Sequence, residues 1–320
     1  MMADIFFDVG GNIRAVGSIR RGIDGQPQSL DSSIADGDTI GFHLRGSGSV
    51  RFLGVDTPEK NFQLPGSQAS RRLDSAEWDA YLTDPFLPGL GSYHLDARLI
   101  EYLRGRVGPG AGINHRFHGE RAEQALIEQV QADMDALGQN PDTFGYFFAF
   151  SHEVFDAYGR FLAFINRNQP NANTPNSRPL SYNERQLEKG VALPYFIWPN
   201  IAPFREKSLL DAVFAPGMAK RVAESNIDLS RARNFVSQAR ANKIGVFNSD
   251  NTLCLEAFEV RYLGRREIPN RAVIDLSRDD DVILQAQHYF RIPNVEDRLY
   301  IPPAFVPLFV TRGWRLEGWF

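Results

Sequence analysis

Polar and apolar residues alternate most cleanly between residues 38 and 55. Ile40, Phe42 and Leu44 are separated by smaller or polar residues, and 50–55 is a β-branched, apolar run. The Gly/Ser-rich stretch 45–49 joins them, so the pattern predicts a β-hairpin. Asp56-Thr57-Pro58-Glu59 then ends the second strand, because proline has no N–H for a ladder and holds the preceding residue extended. Aromatic, β-rich runs at 146–150 and 161–165 predict two more strands, joined by 151–160. Helical spacing places Ala122, Ala125, Leu126, Val130, Met134 and Leu137 on one face, which predicts a helix over 118–138 closed by Gly138. Further helices are predicted at 182–189, 204–215 and 229–243.

The flanks read differently. Runs at 4–9 and 13–19, with turn doublets Gly10-Gly11 and Asp24-Gly25, predict an N-terminal hairpin. Residues 60–117 are broken by Pro65-Gly66, Pro85, Pro88-Gly89 and Gly108-Pro109-Gly110-Ala111-Gly112, with short helices expected at 67–82 and 95–104. So long an irregular stretch inside a compact domain reads as an insertion or lid. After Phe247, runs at 255–263, 271–276, 282–289 and 305–310 predict the strands of a β-rich C-terminal module.

Composition narrows the class. With 43% hydrophobic and 23% charged residues over 320 positions, the chain is ordinary globular material, about two domains long. Its single cysteine, Cys254, excludes an intrachain disulfide and a multi-cysteine zinc site. No run approaches the ~18 apolar residues of a spanning helix, so no membrane partner is expected. Residues 1–10 lack the pattern of a secretory leader, so the expected location is cytoplasmic if the chain is complete and secreted if a leader was removed. The net charge of -4 means that any contact with nucleic acid must come from a local basic patch.

Candidate chemistry sits around the hairpin. Asp36 and Asp38 open its first strand, Asp56 ends the second and Glu59 follows. An antiparallel pair sets the start of one strand beside the end of the next, so Asp38 and Asp56 are brought together. Clustered carboxylates repel and call for a cation, and oxygen ligands suit Ca²⁺ or Mg²⁺. Arg51 has the opposite parity to Asp56, and Gly54 is the irregularity that can turn it towards the acids. Arg160 lies in a turn between two strands. Two arginines facing a metal–carboxylate cluster are the layout of a phosphodiester site. Arg231, Arg233 and Arg240 read as a solvated helix face. Arg261, Arg265, Arg266 and Arg271 leave two readings open, a nucleic-acid patch or a surface salt-bridged with Glu259 and Glu267. His94, His115, His118 and His152 fit no standard zinc spacing.

The ordered set Asp36-Gly-Asp-Thr39, Arg51-Phe-Leu-Gly-Val-Asp-Thr-Pro-Glu59 and Asp156-Ala-Tyr-Gly-Arg160 before an apolar strand resembles the staphylococcal-nuclease-like family. Residues 183–192 and 230–247 look like that family's second and last helices. The resemblance covers 34–60 and roughly 117–250. It implies an α+β fold, an OB-fold five-stranded Greek-key barrel packed by helices. The expected domains are an N-terminal extension (1–32), the nuclease domain (33–250, with the insertion near 61–116) and the C-terminal module (251–320). By resemblance, Asp38, Asp56 and the Thr57 carbonyl hold Ca²⁺, with Mg²⁺ or Mn²⁺ as alternatives, and Asp36 stands behind them. Glu59 serves the attacking water, Arg51 and Arg160 bind phosphate, and Tyr158, Phe196 and Trp198 line the substrate pocket. The implied activity is that of a metal-dependent nuclease acting on DNA, with RNA as a further substrate. The alternative is a silent module that grips nucleic acid or protein without cutting.

Overall fold

Five strands close into one barrel around a shared apolar core. The structure is a computed structural model that describes residues 7–9, 12–22, 25–43, 47–87, 94–156, 160–205 and 208–318. Its barrel strands are β1 (Asn12–Ile19), β2 (Thr39–His43), β3 (Ser47–Phe52), then, past a short strand β4 (Gly54–Asp56), β5 (Gly145–Ala149) and β6 (Phe161–Arg167). β1 pairs antiparallel with β5, β5 with β6, β2 with β3 and β2 with β1, while β6 and β3 run parallel and close the ring. Ile40 and Phe42, Val50 and Phe52, Tyr146 and Phe148, and Ala163 and Ile165 all join one buried core. The Phe42 and Phe148 rings meet there at 4.8 Å.

Helix α1 (Ala111–Leu137), α2 (Tyr182–Glu188) and α3 (Ile227–Ala241) pack around the barrel. Ser181 and Glu184 close a reciprocal capping box at the start of α2. A second sheet begins on β4. It continues through β7 (Leu193–Ile197) to the C-terminal strands β8 (Ala272–Asp275) and β9 (Arg298–Ile301), in the order β4, β7, β9, β8. The strand carrying Asp56 thus belongs to a sheet that the C-terminal segment completes.

Several expectations are corrected. The segment set aside as an N-terminal extension supplies barrel strand β1. Helix α1 starts at Ala111, not near 118, because the glycines there permit close packing: a Cβ on Gly112 would lie 2.1 Å from the Leu73 carbonyl oxygen. Residues 67–82 are not one helix but a hairpin arm, Ser70–Arg72 against Asn61–Gln63, followed by a helix over Ala76–Thr83. Residues 209–212 form a turn where a helix over 204–215 was expected. The run 255–263, expected as a strand, is helix α4 (Ala257–Arg265), opened by a Glu256/Glu259 capping box. The expected strand at 305–310 is also helical, over Val306–Thr311. The C-terminal segment is therefore mixed in structure rather than β-rich.

Candidate active site

The acids meet because the hairpin kinks. Gly54, the first residue of β4, has φ of 76°, a value that suits glycine, and the chain bends there just after β3. Arg51 thereby reaches Asp56, with Nη2 2.6 Å from Oδ1, and lies 3.7 Å from Asp38 Oδ2. Asp38 is held in its turn by Thr39 Oγ1, which donates to Oδ1 at 3.1 Å, and by the Thr57 backbone N–H, which donates to Oδ2 at 3.1 Å. Asp36 Oδ1 accepts the Asp38 backbone N–H at 3.2 Å. All the sequence-predicted acids therefore gather at one place.

A residue from far along the chain completes the cluster. Arg261 on α4 sets Nη1 3.0 Å from Asp56 Oδ1 and 2.8 Å from Glu59 Oε1, and Nη2 2.6 Å from Asp56 Oδ2. Burial, then the neighbouring Asp38 carboxylate, hold Asp36 well above the ordinary carboxyl range. Burial also pushes Asp38 up, but Arg51 and its hydrogen bonds outweigh it and hold Asp38 low and ionised. Burial raises the Glu59 carboxyl, partly offset by Arg261.

Helix α1 fixes the loop that carries Glu59. His115 Nε2 accepts the Glu59 backbone N–H at 2.8 Å, and Nδ1 lies 3.2 Å from the Leu255 carbonyl oxygen. That pairing sets Nδ1 as the protonated nitrogen, and burial lowers the imidazole to about 3, so it stays neutral. Gly119 lets the helix approach, since a Cβ there would lie 2.5 Å from the Pro58 carbonyl oxygen.

A cleft of about 390 Å³ opens beside the cluster, lined by Arg51, Arg160, Arg261, Arg271, Phe155 and Tyr195 among others. Arg160 donates from Nε to Asp156 Oδ2 at 2.7 Å and from its backbone N–H to Asp156 Oδ1 at 3.0 Å. Tyr195 stacks on Phe258 with ring centroids 5.5 Å apart, and its hydroxyl accepts from Arg271 at 2.8 Å. Arg51 and Arg160 line this same cleft.

The aromatic assignments need correction. Side chains alternate along a strand, so Tyr195 and Ile197 face this cleft while Phe196 faces a separate, largely apolar pocket behind β7. Trp198 is buried against Phe305 and Phe309, with Nε1 donating to the Ala212 carbonyl. Neither Phe196 nor Trp198 can stack a substrate base at the arginine cleft. Tyr158 lies outside the described residues. Arg231, Arg233 and Arg240 are tied to Glu184, Asp297 and Glu296 respectively. The sequence reading put Arg261 in a surface patch rather than beside the acids, weighed His115 only as a metal ligand, and missed Tyr195 altogether. Arg261 and Arg265 are four apart, one face of a helix, but that signal needs the segment to be read as helical.

The oxygens available to a divalent ion decide whether one fits. Both oxygens of Asp56 and Glu59 Oε1 accept guanidinium N–H groups, and both oxygens of Asp38 accept hydrogen bonds. Two guanidinium cations stand where the ion expected by resemblance would sit, so the residues as arranged do not fit it. Among the described residues, no group of three or more His, Cys, Asp or Glu side chains is set to hold a metal. No protein-family model and no curated protein matches this chain.

Proposed function

We propose that the arginine cleft binds nucleic-acid phosphodiesters and cuts them, a nuclease of DNA and also RNA. The barrel is then an OB-type Greek key of the staphylococcal-nuclease-like kind. The observation that carries this reading is the convergence of Arg51 and Arg160 on one cleft beside Asp56 and Glu59. Guanidinium forks match phosphate oxygens and stay charged, so they neutralise the charge that grows on phosphorus as water attacks. In that step the water oxygen bonds to phosphorus as one P–O ester bond breaks. The water proton passes to Glu59, and the departing oxygen takes a proton from solvent, leaving a phosphomonoester and a free hydroxyl. The raised Glu59 carboxyl is a better base than an exposed one.

Cleavage of labelled single- and double-stranded DNA and RNA tests this, with Ca²⁺, Mg²⁺, Mn²⁺ or EDTA as separate conditions. Glu59→Ala and Arg160→Ala are each expected to slow cleavage by at least ~100-fold. Full activity in either variant rejects the assignment. A silent binding module is the second reading, favoured by the complete engagement of Asp56 with arginines. Retention of nucleic acid without product in every condition selects it.

A further inference from the structure

The ion that the resemblance implies would bridge Asp38 and Asp56, and Arg261 already holds both Asp56 oxygens. We propose that Arg261 is the resident cation of this site, standing in the place of a divalent ion, so that phosphodiester binding and cleavage here require no divalent metal. The second half of that statement rests on the phosphodiester reading above. The first half, that Arg261 keeps the ion out, does not.

The helix that carries Arg261 is locked in place. Phe258, Val260 and Leu263 of α4 are buried in one apolar cluster. Glu259 accepts from the Tyr289 hydroxyl at 2.7 Å, and Glu256 pairs with Arg298 at 2.7 Å. Gly264 lies so close to the 61–63 strand that a Cβ would sit 2.6 Å from the Gln63 carbonyl oxygen. The backbone of Arg261 therefore has no room to retreat. Swinging the side chain away would strip a largely buried guanidinium of both its carboxylate partners, which is strongly unfavourable.

Charge points the same way. An ion approaching Asp56 meets Arg51 as well as Arg261, because both guanidinium groups contact Oδ1. Arg261 also lines the cleft next to Arg51, where a bound phosphate would face it. A guanidinium there offers permanent positive charge and directed N–H groups, the two services an ion would render to a phosphoryl oxygen.

Calorimetric titration of the full chain with Ca²⁺ alone tests the proposal, alongside Asp38→Asn, Arg261→Ala and Arg261→Gln. The wild type is expected to show no Asp38-dependent calcium binding. Arg261→Ala and Arg261→Gln are expected to gain a saturable site, lost again when Asp38→Asn is added. Asp38-dependent binding by the wild type overturns the proposal even if both arginine variants misfold. Folded arginine variants that bind no calcium overturn it as well. Cleavage provides the separate arm. The wild type is expected to cut in EDTA, and Arg261→Ala only when Ca²⁺ is supplied. A wild type that cuts only with added metal overturns the metal-free claim. If no protein cuts in any condition, the phosphodiester reading fails while the calcium titration still decides what Arg261 does.

Discussion

His115 shows how one buried side chain can hold a reactive loop without touching the chemistry. Its two ring nitrogens are spent on two backbone groups, the Glu59 N–H and the Leu255 carbonyl. It joins the helix, the acid loop and the start of the C-terminal segment. Removing it strands a buried N–H, which costs about 1–3 kcal/mol before any cavity is counted. The pH dependence follows from its depressed pKa, about 3 in the fold against an ordinary 6.5. Below pH 6.5 the unfolded chain takes the proton first, so the contribution of His115 is full above that pH and shrinks as pH falls. Urea unfolding of wild type and His115→Ala at pH 7 and pH 5 reads this directly. The stability gap between them is expected to close by about 2 kcal/mol at the lower pH. A gap that does not change with pH means that the imidazole is not held neutral.

At the scale of elements, close approach between helix and loop is what glycine permits. On an open helix, Gly→Ala gains about 1 kcal/mol from propensity. At Gly119 the new methyl would meet the Pro58 carbonyl oxygen at 2.5 Å, and overpacking of that kind costs about 1–3 kcal/mol. The clash wins, so Gly119→Ala is expected to lower the melting temperature and, by pushing on 57–59, to slow cleavage. An unchanged melting temperature would mean that the loop yields freely. The same positions explain what could be read from sequence. Strand β2 was legible because Ile40 and Phe42 alternate with smaller residues, and β3, β5 and β6 because their runs are dense in β-branched and aromatic residues that fill the core. The start of α1 was hidden because Gly110 and Gly112 look like breakers until the packing of Gly112 against Leu73 is known. Helix α4 was hidden because its apolar residues are dense enough to mimic a strand, although its Glu256/Glu259 capping box was there to be read. The acids and Arg51 were found from local spacing. Arg261 was not, because its role exists only through packing across some two hundred residues of chain. Phe196 and Trp198 failed by strand parity, a one-residue error that turns a side chain to the opposite face.

For the whole molecule, the question is how a chain with net charge -4 attracts a polyanion. Long-range attraction is absent, so affinity must come from the arginines gathered in the cleft. Two of them, Arg51 and Arg261, are largely neutralised by Asp56 and Glu59. Arg160 is paired with Asp156. Arg271 instead bonds the neutral Tyr195 hydroxyl, and its Nε has no hydrogen-bond partner among the described residues, so its charge is less neutralised than that of Arg51, Arg160 or Arg261. Binding should therefore be weak and modestly salt-dependent, with log K falling against log salt at a slope of about -2 to -4 rather than the steep slope of a basic nuclease. Arg271→Ala is expected to weaken binding across sequences alike and to reduce that slope by about 1. Fluorescence anisotropy of a labelled single strand over a salt series, in EDTA to separate binding from metal effects, measures both quantities. A slope near zero, or one that Arg271→Ala leaves unchanged, would remove the cleft as the phosphate-binding surface and turn attention to the pocket behind β7.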